Sequence, residues 1–191
     1  MRSLGFVLFL GLIACAPKNV EFKAPSGPAH PDLICPEGSW PAGAVPPAGF
    51  KAWCHRSTPT GQWLRQGTGL TWHSNGQQAS HGEYVDDRPQ GPWTTWHKNG
   101  QVASQGNYIE GQEHGHWARF HDTGERQGEG EMKDGKEHGA WVYWSADGDR
   151  RTEGNWQSGD KDGVWVEYDS EDRPLSERIY RSGRMTSQRE L

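Results

Sequence analysis

Gly67, Gly91, Gly115, Gly139 and Gly163 stand 24 residues apart, with no insertion or deletion between any two. Other columns keep the same step. Two residues past each of these glycines come Trp93, Trp117, Trp141 and Trp165, with Gly69 in the first unit. Five past come Trp72, Trp96, Phe120, Trp144 and Tyr168. Nine past come Gly76, Gly100, Gly124 and Gly148, with Asp172 in the last unit. Fifteen past are Gly82, Gly106, Gly130 and Gly154, and seventeen past are Tyr84, Tyr108, Met132, Trp156 and Tyr180. A constant period over five units requires that each fold alike and stack on its neighbours, which excludes a globule with one central core. The mismatches collect in the first and last units, as terminal repeats require.

Each unit reads as a β-hairpin. In "GPWTTWHKNGQVASQGNY" a strand runs to "KNGQ", whose Asn-Gly pair suits a two-residue loop with positive φ, and the chain then returns. Gly76, Gly91, Gly100, Gly115, Gly124, Gly139, Gly148 and Gly163 are expected to mark turns. Strands carry apolar side chains at both parities, with Val142 and Trp144 on one side and Trp141 and Tyr143 on the other. The chain is only 32% hydrophobic yet holds 26 Gly and 11 Trp, so rings must supply most of the burial. The expected core is Trp72, Trp93, Trp96, Trp117, Phe120, Trp141, Trp144, Trp156, Trp165 and Tyr168, with Tyr84, Tyr108 and Tyr180. The fold class is all-β: five 24-residue hairpins, residues 67–185, forming an elongated twisted sheet or solenoid, with a short tail at 186–191.

The N-terminal third is different. Residues 1–14 read as a signal peptide, with Arg2 before an apolar run too short to span a bilayer. Leu12-Ile13-Ala14-Cys15 looks like a bacterial lipobox, which makes Cys15 the lipidation site. Ala16, not Asp, follows, which resembles the pattern sorted to the outer membrane of a Gram-negative bacterium. Residues 15–32 form a Pro- and Ala-rich tether. Residues 33–66 are expected to be a small loop-rich module, with Trp40, Phe50 and Trp53 as its filling. With Cys15 assigned, Cys35 and Cys54 remain, and an oxidising envelope lets them pair. Closing that loop stabilises by about 3 kcal/mol.

"HGAWVYWSADGDRRTEGNWQSGDKDG" and "HGHWARFHDTGERQGEGEMKDGKEHG" resemble the MORN repeat family in its bacterial variant, whose pattern is HGxWxxYxxNGxxxxxGxYxxGKxxG. The resemblance covers 67 to about 184, and leaves out the Cys module and tether. It implies non-catalytic modules that associate with proteins or membranes. Many bacterial members carry an antitoxin label, so an antitoxin or immunity-type role is also implied, although an exported lipoprotein fits an intracellular antitoxin poorly.

Histidines are the remaining chemical candidates. "HGHWARFH" holds His114, His116 and His121. His73, His97 and His121 form one column and His114 and His138 another. If each unit adds two strands, equivalent histidines lie about 9–10 Å apart, too far to share a metal ion. His114 is expected in a turn. No nucleophile–base set, phosphate loop, metal site or cofactor site is expected. Residues 67–183 hold 12 Lys and Arg against 21 Asp and Glu, a net of −9. Such an array repels nucleic acid and anionic lipid heads and suits a basic protein partner. Membrane contact is left to the lipid on Cys15. The expected function is an envelope lipoprotein scaffold, with glycan binding through exposed Trp and Tyr as the second reading.

Overall fold

The structure, a computed structural model, describes residues 30–148 and 150–191. Thirteen strands make one open sheet: β1 (Trp40–Ala44), β2 (Lys51–Ser57), β3 (Trp63–Trp72), β4 (Gln78–Val85), β5 (Arg88–Trp96), β6 (Val102–Ile109), β7 (Gln112–Phe120), β8 (Arg126–Lys133), β9 (Lys136–Trp144), β10 (Arg150–Gln157), β11 (Asp160–Asp169), β12 (Pro174–Arg181) and β13 (Arg184–Glu190). Their order in the sheet is their order in the chain, and every pair is antiparallel. Of the two forms the repeat allows, the molecule takes the open sheet. It is a single layer: among the described residues no second sheet covers either face.

The two kinds of turn are exchanged relative to the sequence expectation. The two-residue loops are Asp86-Asp87, Glu110-Gly111, Asp134-Gly135, Ser158-Gly159 and Ser182-Gly183, with φ positive at both residues. That is the signature of a type I′ hairpin. The Asn-Gly site is a longer loop. There the Gly100 N–H donates to the His97 carbonyl at 2.9 Å, and the His97 N–H donates to the Gln101 carbonyl at 2.8 Å. Gly100 alone in this loop has positive φ, at 87°.

Gly76, Gly100, Gly124 and Gly148 lie in these longer loops, but Gly91, Gly115, Gly139 and Gly163 do not mark turns. They lie inside β5, β7, β9 and β11, with φ between 68° and 75°. Each stands where the ladder to the preceding strand slips register, as between Gln105 and Asn107 opposite β7. They are bulge glycines, and positive φ is what a glycine supplies there. His114 likewise lies in β7, opposite Asn107 beside the bulge, rather than in a turn. The slip frees a carbonyl that the ladder no longer uses. Trp117, Trp141 and Trp165 donate their indole Nε1–H to the carbonyls of Asn107, Glu131 and Asn155, at 3.1, 2.8 and 3.1 Å. Each indole also lies flat on a strand glycine. A Cβ placed on Gly130 would stand 2.4 Å from the Trp141 ring. The glycine column fifteen residues past each bulge thus exists to admit the indole.

The segment around the disulfide is less loop-rich than its prolines suggest. It contributes β1 and β2 to the same sheet. Pro41 is accommodated because β1 is the edge strand. Trp40 and Phe50 do not fill an interior: they are 38% and 40% exposed, while Ala42, Ala52, Cys54 and Leu70 are buried. Cys35 is bonded to Cys54. The Thr68 hydroxyl donates to the Ile34 carbonyl at 3.0 Å, fixing the stapled segment against β3.

Candidate functional site

Strand alternation sorts the expected core onto two faces. Trp93, Trp117, Trp141, Trp156 and Trp165, with Tyr84, Tyr108 and Tyr180, share one face, here the ladder face. Their rings, with Met132 bridging Trp117 and Trp141, form a continuous series. Tyr84–Trp93, Trp93–Tyr108 and Tyr108–Trp117 meet edge-to-face at 5.3, 5.5 and 5.3 Å. Trp117, Met132 and Trp141 make the buried centre. The series continues through Tyr143, stacked 5.5 Å from Trp141 and 6.0 Å from Trp165, and ends with Trp156–Trp165 at 5.4 Å and Trp165–Tyr180 at 6.4 Å. Trp72, Trp96, Phe120, Trp144 and Tyr168 lie half-buried on the opposite face.

Charged groups grip this ladder at its C-terminal half. Arg119 lies 5.0 Å over the Trp141 ring, with Glu137 at 3.0 Å and Glu113 at 3.9 Å. The Tyr143 hydroxyl donates to Glu137 at 3.0 Å and accepts from Trp156 Nε1 at 3.0 Å. Lys161 Nζ lies 4.1 Å over Trp165 and 5.2 Å over Tyr180. Burial holds the Lys161 ammonium below its ordinary value, with Arg178 adding to this and Glu137 opposing it.

Burial, then the charge of Glu113, pushes the Tyr108 phenol up to about 12, and burial with Glu137 pushes Tyr143 upward as well. Both protons are held more tightly in the fold than in the open chain. Their contribution to stability is therefore intact below pH 10.0 and declines as pH rises from 10.0 toward about 12. Alkaline unfolding followed by tyrosinate absorbance should show Tyr108→Phe with a shallower loss across that window. Equal slopes would contradict it.

Sequence columns missed the residues that vary on this face. Four past each bulge glycine stand Thr71, Thr95, Arg119, Tyr143 and Glu167, and two before it stand Arg65, Pro89, Glu113, Glu137 and Lys161. Both columns lie on the ladder face. Their signal was in the sequence: constant rings flanked by positions that change from unit to unit.

The histidine column has a different job. Nε2–H of His73, His97 and His121 donates to the carbonyls of Trp96, Phe120 and Trp144, at 2.7, 2.9 and 2.9 Å. Asn75 and Asn99 reach the carbonyls of Lys98 and Asp122 at 2.6 and 2.5 Å. These side chains tie each long loop to the loop of the next unit. Among the described residues no three His, Cys, Asp or Glu side chains converge as metal ligands would. Cys15 lies outside the described residues.

The family described as MORN repeat variant matches residues 89–110. No curated protein matches the chain. The matched stretch contains the bulge at Gly91, Trp93, the long loop at Gly100, Gly106 and Tyr108. Residues 89–110 are thus similar to the MORN repeat variant, and the rest of the array repeats the columns of that stretch at the same spacing.

Proposed function

We propose that the chain is a lipid-anchored, non-catalytic scaffold of the cell envelope, placed at the outer membrane of a Gram-negative bacterium, that binds a protein partner on the ladder face. The observation that carries this is an open sheet face on which constant rings are flanked by two variable columns. Constant rings set the shape, and the variable columns differ enough to set a preference. Trp117, Trp141 and Trp165 are buried and shape the face from beneath, while the partly buried Trp93, Tyr108, Tyr143 and Trp156 leave ring surface among polar groups, the usual make-up of a binding hot spot. The net charge of −9 over residues 67–183 favours a basic partner over most of the array's length.

The anchor is tested by Cys15→Ser. The variant is expected to leave the membrane fraction and appear in the soluble fraction. Unchanged partition would refute the lipid anchor. The scaffold is tested by crosslinking in cells followed by mass spectrometry, with one reproducible protein expected, linked to ladder-face residues. No reproducible protein, or links confined to the opposite face, would overturn it. Glycan binding is favoured by Trp40 and Trp63, which stand 38% and 37% exposed at the N-terminal end. Quenching of tryptophan fluorescence by glycan fragments would support that reading.

A further inference from the structure

The ring ladder is interrupted at Gly69, and this interruption has the shape and chemistry of a site. In the four later units the position two past the bulge glycine is Trp93, Trp117, Trp141 or Trp165. Each lies over a glycine of the preceding strand. In the first unit the arrangement is reversed. Gly69 takes the Trp position, and its partner on β2 is Trp53. Yet Trp53 does not cover Gly69. Its ring leans the other way, 2.9 Å from where a Cβ on Gly43 of β1 would stand. The edge of Tyr84 reaches over Gly69 instead, 2.4 Å from a Cβ placed there. Between Trp53 and Tyr84 this leaves a cleft of about 290 Å³, lined by those rings and by Lys51, Arg65, Thr71 and Ser80. That volume lies at the small end for a ligand pocket and fits one ring system.

We propose that this cleft receives the C-terminal residue of the protein partner, an aromatic one whose ring enters the cleft and whose terminal carboxylate lies beside Lys51. The inference rests on the scaffold reading above and names what the partner must offer at one point. The two rings that bound the cleft favour a flat aromatic guest, which would restore the missing rung. The Thr71 and Ser80 hydroxyls are hydrogen-bonded to each other at 2.6 Å, so they leave little for the many hydroxyls of a sugar. Arg65 is committed, with Asp87 at 3.0 Å and the Tyr84 ring at 4.0 Å. Lys51 is exposed and makes no ion pair among the described residues, so it is the cation free for a carboxylate. The surrounding charge agrees. Residues 30–66 hold Lys51, Arg56 and Arg65 against Asp32 and Glu37, a net of +1, so an acid is not repelled here as it is along the acidic middle of the array.

The test is an NMR titration of the full chain with three probes. N-acetyltryptophan offers ring and carboxylate, its amide offers the ring alone, and glucuronic acid offers the carboxylate on a saturated ring. N-acetyltryptophan should shift the Trp53 indole signal and the amides of β2 to β4, leaving those around Trp165 unmoved. The amide should bind roughly threefold more weakly, as an exposed charge pair allows. Lys51→Gln should erase that difference without changing the melting temperature. A silent Trp53 signal, tighter binding by glucuronic acid, or a preference that survives Lys51→Gln would each overturn the proposal. Partner crosslinking that excess N-acetyltryptophan does not reduce would overturn the cleft and leave the scaffold standing. Absence of any crosslinked partner would overturn the scaffold reading itself.

Discussion

Trp141→Ala is expected to cost about 4 kcal/mol, the upper part of the range for truncating a large buried ring. Trp141 is 1% exposed and packs with Trp117 and Met132 at the centre of the ladder. Its loss empties that space. It also strands the Glu131 carbonyl, which the bulge has removed from the strand ladder and which Trp141 Nε1 serves at 2.8 Å. Arg119 loses the ring beneath it at the same time. The damage should be local, because each repeat touches only its neighbours. Urea unfolding should therefore change from one transition to two, as the units on either side of β9 uncouple. Trp144→Ala, three residues on and half-buried on the opposite face, should cost about half as much, since less area is lost from cover. A Trp141→Ala protein that unfolds in one transition within about 1 kcal/mol of the wild type would contradict the ladder as the source of stability.

Removing the Cys35–Cys54 bond should cost about 3 kcal/mol, the value for a closed loop of this length in the chain-entropy account. The two cysteines are separated by 19 residues. Cys35→Ala is the informative variant, because Cys54 is fully buried and a serine hydroxyl there would add its own desolvation cost. The effect should be confined to β1–β3, which hold the stapled segment through Thr68. Limited proteolysis under reducing conditions should cut between residues 45 and 62 while the array from β4 onward stays resistant. An identical digestion pattern with and without reductant would disprove it.

Period, strand type and ring positions were legible in the sequence, because a gapless column forces every unit into one register and a strand has only two sides. The turn assignment was not. Asn-Gly is the strongest short hairpin signal, yet the two-residue loops went to Glu110-Gly111 and its equivalents. The longer Asn-Gly loops carry His97 and Asn99 far enough to reach the next unit's carbonyls, a contact that a two-residue loop would forfeit. Gly115 and its column were ambiguous for a related reason. A positive-φ glycine serves a bulge as well as a turn, and only the pairing register separates them. The spacing of the histidine column spoke only to whether equivalent histidines could share a metal ion. Distance between equivalent residues, however, says nothing about a side chain that spans the gap to a neighbouring backbone. At the site, the rings were found by their constancy. Arg119, Glu137, Tyr143 and Lys161 were passed over because their columns vary.

The meander also decides how the molecule yields to mechanical load. Strand order equals chain order, so a pull between the two ends meets the hydrogen bonds of one strand pair at a time. At the N-terminal end the Cys35–Cys54 bond carries tension past β1 and delivers it to the middle of β2, where several ladder bonds share it. At the C-terminal end nothing diverts it, and β13 lifts from its tip. The sheet therefore unzips from β13 inward, one hairpin after another, lengthening under tension in near-equal steps while the stapled end holds.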